Sequence, residues 1–218
     1  LWSIAGLWQF PNALPDTLTL STWTKALPDL ARTSTTTLTL ALIATTAALT
    51  LTLASLESHH RKGTKPGTAL IFLPLIIPQI AFLPGLQILA LHGGAKGGLA
   101  ITAAAHTIFV IPYVWLSLAP AFTAWDARLA TTAATLGASP SRIFWAVRAP
   151  MLLAPILTAF AVGMAVSIGQ YLPTLMIGGG RVETLTTEAI ALSSGGNRRL
   201  IGAYALMQTL LPALGFAL

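Results

Sequence analysis

A chain of 218 residues with 55% hydrophobic and only 8% charged residues is too poor in charge for a soluble domain, which carries roughly 25%. The bilayer is therefore its expected solvent. The absence of cysteine excludes disulfides and thiolate metal sites, and the net charge of +6 comes without the basic, aromatic-interleaved run of a nucleic-acid surface.

The first residues, Leu1–Trp8, lack the charged head and cleavage pattern of a signal peptide. The chain has no initiator Met, and its last residues stop inside an apolar stretch. Residues 1–218 are accordingly read as one membrane module cut from a longer polytopic protein. Gln9–Arg32, rich in Pro and Thr, reads as an extramembrane crossing segment with room for a short helix. A spanning helix needs about 20 mostly apolar residues. Thr35–Leu56 meets that test, with threonine hydroxyls able to bond back to the helix's own carbonyls. Thr68–Leu91 meets it too, kinked by Pro74, Pro78 and Pro84, each of which removes a backbone donor. Leu99–Ala119, Met151–Gln170 and Leu200–Leu218 complete an expected set of about five spans in an all-α, polytopic transmembrane bundle.

Alternation of the spans puts Glu57–Pro66 and Asp126–Pro150 on one side. Gln9–Arg32, the turn His92–Gly98 and residues 171–199 fall on the other. Lys and Arg divide evenly between the two sides, while four acids, Asp16, Asp29, Glu183 and Glu188, lie on the second. With the first side also the more compact, it is expected in the cytoplasm. Residues 171–199 then form a periplasmic loop, and the basic residues lie near lipid headgroups.

The segment between the third and fourth spans, DARLATTAATLGASPSRIFWAVRAP, carries the most local information. Ala127–Leu136 has helix formers and places Leu129, Ala133 and Leu136 on one face. Gly137 fits the left-handed stop after a helix. Ser139 fits an N-cap and Pro140 the first position of a second helix over Ser141–Val147. Trp125 and Trp145 suit the headgroup zone.

This segment resembles the signature loop of inner-membrane permeases of binding-protein-dependent ABC importers: Glu-Ala-Ala, three residues, Gly, nine residues, Ile, one residue, Leu-Pro. Aligned on Gly137, the pattern falls on Thr131, Thr132 and Ala133, then on Val147, Ala149 and Pro150. Thr131 stands where the family keeps an acid, so docking is expected from the apolar face and from the loop's Arg residues, Arg128, Arg142 and Arg148. Residues 167–199 look like the external loop of permeases in the thiamine and ferric-iron import group. The resemblance implies a type I importer fold, with residues 120–150 as the cytoplasmic coupling loop. It implies cytoplasmic ATPase subunits, a periplasmic solute-binding protein and a second permease module as partners. It implies no cofactor and no catalysis in this chain, since ATP is hydrolysed on the partner.

Other motifs weigh less. HGGAKGG at His92–Gly98 lacks the Gly-Lys-Ser/Thr of a phosphate loop, and Gly178–Arg181 reads as a flexible loop rather than an anion nest. His59 and His60 lack carboxylate or Cys support for a metal. There is no catalytic set for a membrane-embedded enzyme. Polar side chains at membrane depth call for a functional reading. On that ground Gln79, His106, Ser167, Gln170 and Tyr171 are the candidates for the translocation path. The competing reading for His106 is a bond to a neighbouring helix. The alternative function is an ATP-independent transporter or channel, which predicts paired intramembrane charges or broken helices in matching halves.

Overall fold

The computed structural model describes residues 1–9, 11–64 and 67–216. These are helical throughout apart from loops and one isolated antiparallel bridge, Ala5 to Leu18. The first long element, α1, runs Ser21–Lys62, 42 residues, and passes straight through Pro28. The stretch expected to be a separate crossing segment is thus, from Ser21 on, the first three turns of α1. Pro28 is the eighth residue of the helix and removes one backbone donor, to the carbonyl of Thr24. Ala26 and Leu30 bury against Leu185, Ala203 and Tyr204, which holds these turns in place.

The threonines of α1 behave as read. Thr33, Thr35, Thr36, Thr37 and Thr50 each donate to the carbonyl four residues back. Its buried stripe is small: Ala41, Ala44 and Ala48 are wholly inaccessible. Small residues let helices approach closely when lipid gives no hydrophobic drive for their association.

The second expected span is two helices. α2, Ala69–Ile76, and α3, Gln79–His92, meet at Ile77–Pro78 with a bend of 116°. The kink is therefore a break. Pro78 cannot donate to the carbonyl of Pro74, and it ends α2 as the N-cap position of α3. α4, Leu99–Ala124, is continuous through Pro112 and Pro120. After the loop helices described below, α8, Leu153–Ile168, returns through the bundle. α4 and α8 pack on α1, and their tightest point is Gly163. A Cβ there would lie 2.6 Å from Thr45 Cγ2 and 3.2 Å from Val110 and Val114.

Residues 171–199, expected as an open loop, fold into α9, Leu172–Gly178, and α10, Leu185–Ser193. Thr184 and Thr187 cap α10 reciprocally, and Pro173, Thr174, Ile177 and Leu185 are buried. The backbone N–H of Gly98 donates to Gly178 O at 3.2 Å, joining the His92–Gly98 turn to α9. α11, Arg198–Phe216, packs against α10 and the N-terminal turn.

Among the described residues, α1 and α4 are long and apolar enough to cross a membrane. Two bent pairs, α2 with α3 and the 140–151 helix with α8, pass the same test only when each pair is taken as one broken span, which would bring the number to four. α11, where the fifth span was expected, is not among them. Two ion pairs mark the ends of the bundle: Arg32 with Glu183, and Arg148 with Glu57. Arg32 and Glu57 stand about 37 Å apart along α1 at roughly 1.5 Å per residue, close to a hydrocarbon core of about 30 Å plus part of the headgroup zone. No Asp, Glu, Lys or Arg lies between them on α1.

Candidate functional site

Two features concentrate unusual chemistry: the loop at the Glu57 end of the bundle and a groove at mid-depth. In the loop, Asp126 caps α5, Ala127–Thr135, by accepting from Arg128 N at 2.9 Å. Leu136 is the C-cap and Gly137 follows at φ +82°. Nothing lies within 4 Å of where a Cβ would stand on Gly137, so the glycine is required by backbone conformation and not by space. Ser139 Oγ then accepts from Arg142 N at 3.3 Å and caps α6, Pro140–Ile143, with Pro140 in its first turn.

The second helix is not regular. Phe144–Arg148 is a π-helical turn, closed by Ala149 N donating to Phe144 O, and α7, Ala149–Met151, follows. Pro150 therefore lies inside this helix, and the turn back into the bundle comes at Leu152, with a bend of 75° into α8.

The loop's outer surface is open. Leu136 is 84% exposed and Trp145 70%. Leu129, Arg128, Thr131, Thr132, Arg142 and Pro150 are also exposed, and Ala133 is half-buried. Leu129, Ala133 and Leu136 share one face of α5 by their spacing. Ala130, on the inward side, packs on the main core.

Arg148 departs from this pattern. It is 2% exposed and pairs with Glu57 at the end of α1. Its guanidinium sits 4.1 Å from the centre of the Trp125 ring, and Trp125 meets His60 edge-on at 5.7 Å. Burial, and after it the Arg148 charge, holds the His60 imidazole below its usual range; His60 lies beyond the apolar stretch of α1. By sequence alone Arg148 is one more solvated loop cation. The signal that points elsewhere is the pairing of one acid, Glu57, with an Arg beside a Trp-rich helix end.

The groove, about 620 Å³, opens where the α2–α3 break faces the α8–α9 break. Gln79, Gln170 and Tyr171 line it together with Phe109 and Tyr113, and among the described residues no charged one does. Irregular backbone at membrane depth is tolerated where it lines a cavity or is covered by protein. Both breaks owe their free carbonyls to proline. Pro78 and Pro173 stand four residues after Pro74 and Gly169, and neither carbonyl accepts a backbone bond among the described residues. Pro74 and Gly169 both line the groove.

His106 and Ser167 lie behind this wall and do not line it. His106 is fully buried and bonds Ser167 Oγ and Thr174 Oγ1, each at 2.8 Å. One ring nitrogen donates and the other accepts in a neutral imidazole, so the side chain clasps α4 to α8 and α9. Gln170 connects clasp and groove. Its Nε2 donates to His106 O at 3.4 Å, and its Oε1 is buried without a partner. Nothing in the sequence told that three hydroxyl and imidazole groups 61 and 68 residues apart would meet. Gln87 Nε2 donates to Met176 O at 3.0 Å and ties α3 to α9.

A helix–glycine–helix loop at the end of a polytopic helical bundle is a form that fits a membrane transport component. The chain belongs to the family of binding-protein-dependent transport system inner membrane components, whose profile matches residues 47–217. Its relatives are permease proteins of transport systems, one of them named as an inner membrane ABC transporter permease. The chain is 45% identical over 148 residues to the inner membrane ABC transporter permease protein YnjC of Escherichia coli (strain K12), covering 68% of this chain and 29% of that protein. It is 36% identical over 124 residues to the molybdenum transport system permease protein ModB of Mycobacterium tuberculosis (strain ATCC 25618 / H37Rv), covering 51% and 47%. It is 23% identical over 157 residues to the spermidine/putrescine transport system permease protein PotC of Haemophilus influenzae (strain ATCC 51907 / DSM 11121 / KW20 / Rd), covering 72% and 61%. The chain thus spans less than two thirds of each of these relatives. The narrower likeness to thiamine and ferric-iron permeases is not carried by them.

Proposed function

We propose that this chain forms part of the translocation path of an ATP-driven importer and couples ATP hydrolysis on a separate subunit to solute uptake. The observation that carries this reading is the loop: two capped helices hinged at Gly137, projecting from one end with Leu136 84% exposed. An amphipathic helix that sets Leu129 and Ala133 on one face, followed by Leu136, has the form of an element that docks in a groove of a partner. The loop end is then cytoplasmic and the Arg32–Glu183 end periplasmic, where a binding protein delivers solute. A second permease module closes the other side of the groove. ATP binding biases two states of the bundle, which is the differential interaction that coupling requires.

The groove supplies the path. Gln79, Gln170 and Tyr171 line it, and His106 and Ser167 hold its wall. A bent helix pair is also what an ATP-independent transporter would show, yet among the described residues the groove has no ionised side chain to bind a coupling ion.

The test uses the transporter assembled with its ATPase in lipid nanodiscs. Because the chain has no cysteine, a single Gln79→Cys reports groove access by its rate of alkylation. Nucleotide trapping should change that rate in the parent. Gly137→Val should abolish the change while the protein still inserts and assembles. A full nucleotide response in Gly137→Val would contradict the coupling role of the loop.

A further inference from the structure

The loop can move the spans only through atoms that join them, and the structure offers few. α5 touches the core through Ala130, and Val147 adds an apolar contact. The one polar connection from residues 126–150 to another span, among the described residues, is Arg148. Its guanidinium reaches Glu57 on α1 and lies over Trp125 at the end of α4. Glu57 is itself half-buried, with its side chain 17% exposed. A single side chain on the loop's second helix thereby holds the ends of two spans.

Three details make this more than a surface pair. Arg148 is buried, and a buried guanidinium is tolerated only where it is paired. Its fork supplies several donors in fixed geometry, and here one of them, Nε, is buried without an acceptor. The residue also ends the π-helical turn Phe144–Arg148. A π turn accommodates one extra residue, so the helix beyond it is rotated by roughly 100° relative to a continuous α-helix. That rotation decides which face of the helix carries Arg148. A return of the turn to α geometry would swing Arg148 away from Glu57 and Trp125. An open cleft of about 430 Å³, lined by His59, His60, Trp115 and Phe122, lies between the same helix ends and leaves space for them to shift.

We infer that Arg148 is a positioning residue for transport: through Glu57 and Trp125 it passes movement of the coupling loop to α1 and α4. The inference rests on the coupling function proposed above and names the residue that performs it within this chain. The link is directional, since an ion pair with a stacked guanidinium fixes distance and orientation together. An apolar contact of equal volume would hold the ends together without fixing their relative rotation.

The experiment uses the same assembled transporter with the Gln79→Cys reporter. In the parent, nucleotide trapping changes the alkylation rate; if it does not, the coupling function and this inference both fail. In Arg148→Met/Glu57→Leu, an apolar pair replaces the charged one, a change that buried pairs often tolerate. The expected result is a thermal midpoint near that of the parent with the nucleotide effect reduced about tenfold, within the range of measured coupling energies. A stable double variant with an undiminished nucleotide effect would overturn the inference and leave the coupling function standing. Should the double variant fail to assemble, Glu57→Asp shortens the link by one methylene and retains both charges. A reduced nucleotide effect there supports the directional link, and an undiminished one overturns it.

Discussion

The two ends of the bundle each carry one Arg–Glu pair, and the pairs differ in burial. Arg32 and Glu183 have side chains 57% and 46% exposed, whereas Arg148 and Glu57 are at 3% and 17%. Water screens the first pair, and its loss costs little. The second pair is largely shielded: Arg148 is buried against Trp125 and Glu57 is half-buried. Similar chemistry therefore serves as a solvated surface contact at one end and as a structural tie at the other. The tie lies at the base of the loop built from two capped helices around a glycine hinge.

That contrast can be broken experimentally, beginning with the largest effect. Arg148→Met alone leaves the half-buried Glu57 carboxylate without its partner. It should cost about 3 kcal/mol of stability, the low end for a broken buried pair, read as a lowered unfolding midpoint of the purified protein in detergent. Restoring neutrality with Glu57→Leu in the same chain should recover most of that loss. At Gly163, where α8 meets α1 and α4, Gly163→Val places its Cβ against Thr45, Val110 and Val114. The expected cost is about 1–3 kcal/mol in the same measurement. Gly137→Val should cost less, about 1–2 kcal/mol from its left-handed backbone alone, since no neighbour is crowded. Its larger effect should be on nucleotide coupling. The smallest change is expected of Glu183→Gln at the opposite end, with a midpoint indistinguishable from the parent. A large drop there would erase the distinction between the ends.

Legibility in the sequence followed the range of the interactions. The loop was readable because its signals are local: Gly137 must take positive φ, and Ser139 ahead of Pro140 caps a helix three residues on. The spans were readable from length and hydropathy, with ends wrong where tertiary packing outweighs a local breaker. Pro28 did not interrupt α1 because Ala26 and Leu30 are buried against α10 and α11. Residues 171–199 read as a loop through their glycines and polar residues, yet the capped α10 and the buried face of α9 fold them against the bundle. The groove was half-readable. Gln79, Gln170 and Tyr171 were singled out for depth, but periodicity says nothing of two helix breaks facing each other. For the same reason His106 was grouped with the path, although its two hydroxyl partners hold it behind the wall. Arg148 resembles any loop cation until Glu57, 91 residues away, is found beside it.

The most direct measurement compares the two ends as surfaces. In the cysteine-free chain, Leu136→Cys on the loop and Ser193→Cys at the far end of α10 each carry one environment-sensitive fluorophore. The purified ATPase subunit is then titrated onto the permease in nanodiscs. A saturable blue shift is expected at position 136 and none at 193. No shift at 136, or equal shifts at both positions, would contradict the assignment of this loop as the site where ATP hydrolysis is coupled to transport.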